Sequence, residues 1–176
     1  SELSEYEQSN IHILFMDDDG SFEIDAIKRT YSFLSYAVNE NSALAGSLIF
    51  EDSADYLAEK AGKFDEYCKP ICFGTDLRPI ENLVHIENDL TEANYGGWWF
   101  FAFPINVKHF SFPFFVRGDD VFFGMMNKFE IVSTLGIACY GPNFEGKVSN
   151  LTKYLDQRYH ILNNLLFSKT PLLSVL

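Results

Sequence analysis

The chain has 176 residues, 47% of them apolar and 16% aromatic, with Phe at 18 positions; the length suits one domain, and a disordered chain would be poor in aromatics. Lys and Arg number 13 against 25 Asp and Glu, a net charge of −12, so the surface repels a phosphate backbone and no nucleic-acid partner is expected. The most apolar run, Trp98 to Phe103, is far shorter than the roughly 20 residues a membrane-spanning helix needs, and no stretch reads as a signal peptide.

Residues 1–9 are polar and read as the end of a helix or a frayed terminus. Ile11 to Met16 (IHILFM) is an almost unbroken apolar run, the pattern of a strand covered on both faces. It stops at Asp17-Asp18-Asp19-Gly20. Ile24, Ile27, Tyr31, Leu34 and Val38 then recur at helical spacing, which predicts a helix with that stripe inward and Glu23 and Asp25 in its first turn. Ala43 to Phe50 reads as a second strand, and Ala54 to Ala61 as a short helix ending at Gly62. The stretch around Pro70, Gly74 and Pro79 reads as loop. Cys68, Cys72 and Cys139 are an odd set with no framework, which points to a reducing compartment. Cys68 and Cys72 lack a second pair or a nearby His, so ordinary thiols are expected rather than a zinc site.

Asn94 to Phe103 (NYGGWWFFAF) predicts a turn and an aromatic strand ended by Pro104. Phe112 to Val116 is a short apolar piece. Asp119-Asp120 precede a short helix, Val121 to Lys128, and Ile131 to Tyr140 reads as the last strand. Leu155, Tyr159, Leu162 and Leu166 mark an amphipathic C-terminal helix over about residues 151–168. Neither a repeat nor a linker interrupts the chain, so residues 1–176 are expected to form one α/β domain.

Two acidic clusters carry the chemical signal. Carboxylates packed at one strand end repel unless a cation or solvent relieves them. In open α/β sheets ligands gather beyond the carboxyl ends of strands, so Asp17 and Asp19 are candidate ligands of a hard divalent cation, magnesium or manganese. A solvated turn, with Asp18 or Asp19 capping the next helix, explains the local pattern equally well. Asp119-Asp120 fits a helix cap, or a general base that takes the proton of an attacking hydroxyl. Arg117 beside it could hold one carboxylate ionised. Trp98 and Trp99 fit core packing, the commoner role, or a stacking platform for a sugar ring. His12, His85, His109 and His160 show no ligand spacing.

Taken in order, ILFMDDD (13–19), YLAEKAGKFD (56–65), NYGGWWFFAFP (94–104), FFVRGDDVFFG (114–124), LGIACYGPNF (135–144) and YHILNNLL (159–166) resemble the family 2 inverting glycosyltransferases, specifically their galactofuranosyltransferase-like group. The resemblance covers most of residues 10–166. It implies the GT-A fold, a Rossmann-like mixed sheet with flanking helices. It also implies a DXD motif in which Asp17 and Asp19 hold Mn2+ or Mg2+ on the diphosphate of a nucleotide-sugar donor. Asp120 would be the general base, with Asp119, Glu59, Trp98 and Trp99 on the substrate side. The implied reaction moves a hexosyl group, galactofuranosyl in that group, to a glycan or lipid-linked glycan in cell-surface polysaccharide synthesis. That places the protein in the cytoplasm, at the inner face of the membrane for a lipid-linked acceptor.

Two positions depart from the pattern. Gly141 stands where the family has a His that completes the metal site, and Asn163 stands where it has an Arg. With ten residues before the first strand, the resemblance also leads us to expect an incomplete fold, a fragment lacking the nucleotide-binding half, and self-association through the face so exposed. The alternative reading is a non-catalytic carbohydrate- or partner-binding domain derived from such an enzyme. A metal-dependent phosphohydrolase would also use clustered Asp but explains the Trp pair and Glu59 less well.

Overall fold

The computed structural model describes residues 11–111, 113–114, 116–142 and 148–168. The expectations for residues 1–9, and part of that for Phe112 to Val116, lie outside them. The fold is α/β, with mixed sheets and flanking helices. One sheet has the order β1 (His12–Phe15), β9 (Phe101–Pro104), β3 (Ser42–Ala45) and β10 (Glu130–Val132). A second has β2 (Ser21–Phe22), β11 (Ala138–Gly141), β4 (Ser47–Phe50), β5 (Tyr56–Glu59) and β8 (Thr75–Asp76). A hairpin joins β6 (Gly62–Phe64) to β7 (Cys68–Pro70). The helices are α1 (Ala26–Tyr36), α2 (Ile80–Asn88), α3 (Asp119–Asn127) and α4 (Asn150–Phe167).

The expected strand Ala43 to Phe50 is in fact two strands that pass from one sheet to the other at Gly46. There the backbone N–H donates to the Phe100 carbonyl at 2.8 Å, and a Cβ would lie 2.8 Å from the Phe100 ring. Ile131 to Tyr140 divides in the same way, with β10 parallel to β3 and β11 parallel to β4. The two segments change sheets side by side, and this shared crossing joins the two halves of the molecule.

β1 lies at the edge of its sheet rather than inside it, paired with β9 alone. Its side chains still pack on both faces. Leu14 and Met16 join a cluster with Leu34, Leu44, Leu48, Phe100 and Ala102, while Ile13 and Phe15 join one with Phe101, Phe103, Phe123 and Phe129. In the second cluster Phe103 meets Phe15 and Phe123 edge-on at 4.9 Å each, contacts worth about 0.5–1.5 kcal/mol beyond area burial.

Two helical expectations are corrected. In α1 the buried residues are Ala26, Thr30 and Leu34. Ile24 is 95% exposed, and Ile27, Tyr31 and Val38 also face solvent. Small side chains at Ala26 and Thr30 let the helix lie close to the sheet, and Arg29 fixes its rotation by donating to the Gly136 carbonyl at 2.7 Å. Glu23 lies outside the helix and accepts a hydrogen bond from the Tyr140 hydroxyl. The expected helix Ala54 to Ala61 is instead β5, with Leu57 and Ala58 buried by pairing against β4. Tertiary pairing overrides helix propensity there. The loop after Gly74 contains an unexpected helix, α2, which buries Ile86. Among the described residues, no helix is long and apolar enough to cross a membrane.

Candidate functional site

Asp120 sits in the first turn of α3 and accepts the Val121 N–H at 2.8 Å. The chain enters that turn through two left-handed residues, Arg117 (φ 66°) and Gly118 (φ 84°). Glycine adopts this conformation freely, whereas at Arg117 it costs on the order of 1–3 kcal/mol unless the surroundings impose it. Helix α4 imposes it. Asp156 pairs with the Arg117 guanidinium at 2.6 Å, Arg158 donates to the Phe114 carbonyl at 2.7 Å, and Asn163 donates to the Gly118 carbonyl at 3.4 Å. Tyr159 packs so closely on Gly118 that a Cβ there would lie 2.5 Å from its own Cβ. Arg117 therefore serves α4 rather than the Asp119-Asp120 pair.

Asn163 is fully buried. At the position where the resembled family has Arg, it ties α4 to the Asp120 loop. Its neighbour Asn164, also buried, donates to the Glu66 and His160 carbonyls. Two adjacent Asn in an otherwise apolar helix stretch were the sequence signal for this clamp.

Glu59 ends β5, and its Oε1 is buried with no hydrogen-bond partner. Burial, and then the charge of Asp120, push its carboxyl up to about 8. Asp120 is itself pushed up to about 7, chiefly by burial, with the Asp119 and Asp17 charges adding and the Val121 N–H opposing. Burial raises the Cys68 thiol to about 11, with Asp120 and Glu59 adding to it; the Tyr95 hydroxyl is raised by burial and then by Glu59, Cys68 and Asp120, and the Tyr159 hydroxyl by burial and then by Cys68, Asp120 and Asp156. Cys139 rises to about 12 through burial and the charges of Asp17 and Glu59. These mutual effects put the four carboxylates within electrostatic range of one neighbourhood. Asp17 reaches it from the turn after β1, Glu59 from the end of β5, and Asp119 and Asp120 from the start of α3. Cys68, Tyr95 and Tyr159 line it, and the sequence did not single out any of the three as a site residue.

Asp17, Asp18 and Asp19 are exposed on the turn between β1 and β2. That turn is tied to β11 by pairing of Ser21 with Tyr140 and Phe22 with Cys139, and by the Glu23 N–H to the Ala138 carbonyl at 3.1 Å. Among the described residues, no group of three or more His, Cys, Asp and Glu side chains converges as a metal-ligand set. Two carboxylates nonetheless fit a magnesium-like cation, which takes one or two protein carboxylates and completes its shell with phosphate oxygens and water. Strand alternation puts Gly141 on the same face as Cys139, the residue that feels Asp17. No side chain is available there to add a ligand.

Trp98 and Trp99 lie in the turn before β9 and are half-buried. They part to opposite faces of the first sheet. Trp98 meets Phe15 at 4.8 Å and Phe123 at 5.8 Å, and its Nε1 is buried without a partner. Trp99 joins the Leu34–Phe100 cluster and folds over Gly97, where a Cβ would lie 2.1 Å from its ring. Their packing partners are core residues, but Phe123 ties Trp98 to the helix that carries Asp120.

A cleft of about 470 Å³ lies beside Lys60, Glu87, Asp89 and Glu130. Lys60 is the neighbour of Glu59 in sequence, and its Nζ donates to the Ile86 carbonyl at 2.6 Å. The cleft's lining includes none of Asp17, Glu59, Asp119 and Asp120. No protein-family model matches the chain, and no curated protein matches it.

Proposed function

We propose that the chain carries the metal- and acceptor-binding part of an inverting glycosyltransferase of the GT-A type, moving a hexosyl group from a nucleotide-diphosphate sugar to a glycan or lipid-linked glycan. The observation that carries this reading is Asp120, a half-buried residue whose carboxyl is raised to about 7, near Glu59 and within range of the Asp17 charge. A general base works best with its pKa near the operating pH.

In this reading Asp120 accepts the acceptor hydroxyl proton as that oxygen forms its bond to the anomeric carbon. The bond from that carbon to the diphosphate oxygen breaks on the opposite side, which inverts the centre. Asp17 and Asp19 would hold Mn2+ or Mg2+, which supplies Lewis-acid neutralisation of the departing diphosphate. Asp119 orients the start of α3, where its carbonyl accepts from Ser111. Trp98, which packs on Phe123 of the helix that carries Asp120, is the ring that would meet an acceptor sugar, with Trp99 on the other face of the sheet. The cytoplasmic face of a membrane is where such an enzyme would meet a lipid-linked acceptor.

Gly141 favours a second reading, a carbohydrate-binding domain without turnover, because it leaves the metal site without a His. The test is release of nucleoside diphosphate from a panel of nucleotide sugars, with and without glycan acceptor, by wild type and Asp120→Asn. Asn keeps the size and can still cap α3, but it cannot take the proton. A loss of about 10²–10⁴-fold is expected. Full activity in Asp120→Asn removes this base, and glycan binding without turnover on any donor selects the second reading.

A further inference from the structure

The general-base role accounts for Asp120 but not for a second carboxyl buried beside it. Glu59 and Asp120 differ in what supports a negative charge. Asp120 accepts the Val121 N–H and sits in the first turn of α3, where the helix dipole favours an anion. Glu59 Oε1 receives no hydrogen bond. The titratable groups near Glu59 are Asp120 of α3, Cys68 of β7, Tyr95 before β9 and Cys139 of β11. All are neutral or anionic in character. The Tyr159 hydroxyl is directed to the Cys68 sulfur at 3.5 Å, and Tyr95 also hydrogen-bonds that thiol. Lys60, next in sequence, is held by the Ile86 carbonyl. Among the described residues, no cation pairs with Glu59.

We infer that Glu59 is held as a neutral carboxylic acid whose O–H donates a hydrogen bond to an oxygen of the bound sugar acceptor, leaving Asp120 as the ionised member of the pair. The inference rests on the reading of Asp120 as the base. Between about pH 7 and 8 the pair holds one proton, and it sits on Glu59 because its Oε1 is buried without a partner and a second anion would face the Asp120 charge. Burial and the neighbouring charge act in the same direction, raising Glu59 above Asp120. The site then meets a sugar with one donor and one acceptor. When Asp120 receives the substrate proton, both carboxyls are neutral until the proton leaves to solvent. As pH rises through about 8 the donor is lost, so acceptor binding weakens on the alkaline side.

The state of Glu59 is read without turnover, by infrared difference spectroscopy. Wild type between pH 7 and 8 is expected to show carbonyl-band intensity of a protonated carboxyl that Glu59→Gln lacks, and that difference should fade as pH passes 8. Calorimetric titration with a galactofuranosyl disaccharide reads the sugar contact. Glu59→Gln keeps a donor and should bind within about threefold of wild type, whereas Glu59→Ala should bind roughly tenfold more weakly, the effect of one lost hydrogen bond. Absence of the band overturns the neutral acid. Equal binding by Glu59→Ala, or no binding by wild type, overturns the sugar contact. If band and binding behave as expected while no donor supports transfer, the neutral acid stands and the transferase reading falls.

Discussion

Replacing Glu59 by Gln should make the protein more stable, and by an amount that depends on pH. The carboxyl titrates near 4.5 when unperturbed and near 8 in the fold. Between those values the unfolded chain releases a proton that the folded chain keeps, so the unfolded state binds fewer protons and stability falls as pH rises. The contribution of Glu59 is fully present below about 4.5, declines through the window and levels off above about 8. Each unit of separation corresponds to about 1.4 kcal/mol, so the whole window has an upper bound on the order of 5 kcal/mol. Coupling to Asp120 and local relaxation reduce it. Gln has the same shape and never ionises. Urea unfolding of both proteins at pH 5, 7 and 9 should therefore show a gap that opens by several kcal/mol from the first to the last, with unchanged m-values. A gap that stays constant across that range would refute the reasoning, because it would mean that Glu59 ionises as readily in the fold as outside it.

Gly141→His should strengthen manganese binding, measured by calorimetry on the protein alone. The new Cβ meets only Leu48 Cδ1, at 3.3 Å, and the side chain faces the Asp17 side; unchanged affinity would remove the turn after β1 from the metal site. Asn163→Ala should cost about 1–3 kcal/mol and speed hydrogen exchange in residues 116–120 more than in β9, and uniform exchange would deny the clamp. The exposed face of α1 should drive self-association, so Ile27→Lys with Tyr31→Lys should lower the molar mass found by light scattering at high concentration. A wild-type monomer would end that expectation.

The acidic turn after β1, the helix opening at Asp119 and the C-terminal helix were legible because each rests on a local pattern: an apolar run that stops abruptly, or apolar residues at helical spacing. The helix drawn over Ala54 to Ala61 was not. Ala, Leu, Glu and Lys favour a helix locally, and only pairing with β4, which the sequence does not display, makes a strand there. The orientation of α1 failed for a related reason. Its largest apolar side chains make the clearest stripe, yet the sheet admits the small side chains of Ala26 and Thr30. Asp17, Asp19 and the Asp119-Asp120 pair could be chosen from carboxylate patterning, whereas the choice of Asp120 within the pair, like Glu59, was reached through resemblance alone. Its burial, and its company of Cys68, Tyr95 and Tyr159, arise from contacts between segments that are distant in the chain.

The clamp formed by α4 also orders events in time. A chain emerging from the ribosome presents the residues around Arg117 well before Asn150–Phe167, and domains assemble as their segments become available. Until that last helix docks, Arg117 has no Asp156, Gly118 has neither Tyr159 nor Asn163 against it, and nothing imposes the left-handed turn that leads into Asp120. The nascent protein can form its sheets and still lack a positioned Asp120, which takes its place only after the last stretch of α4 has been made.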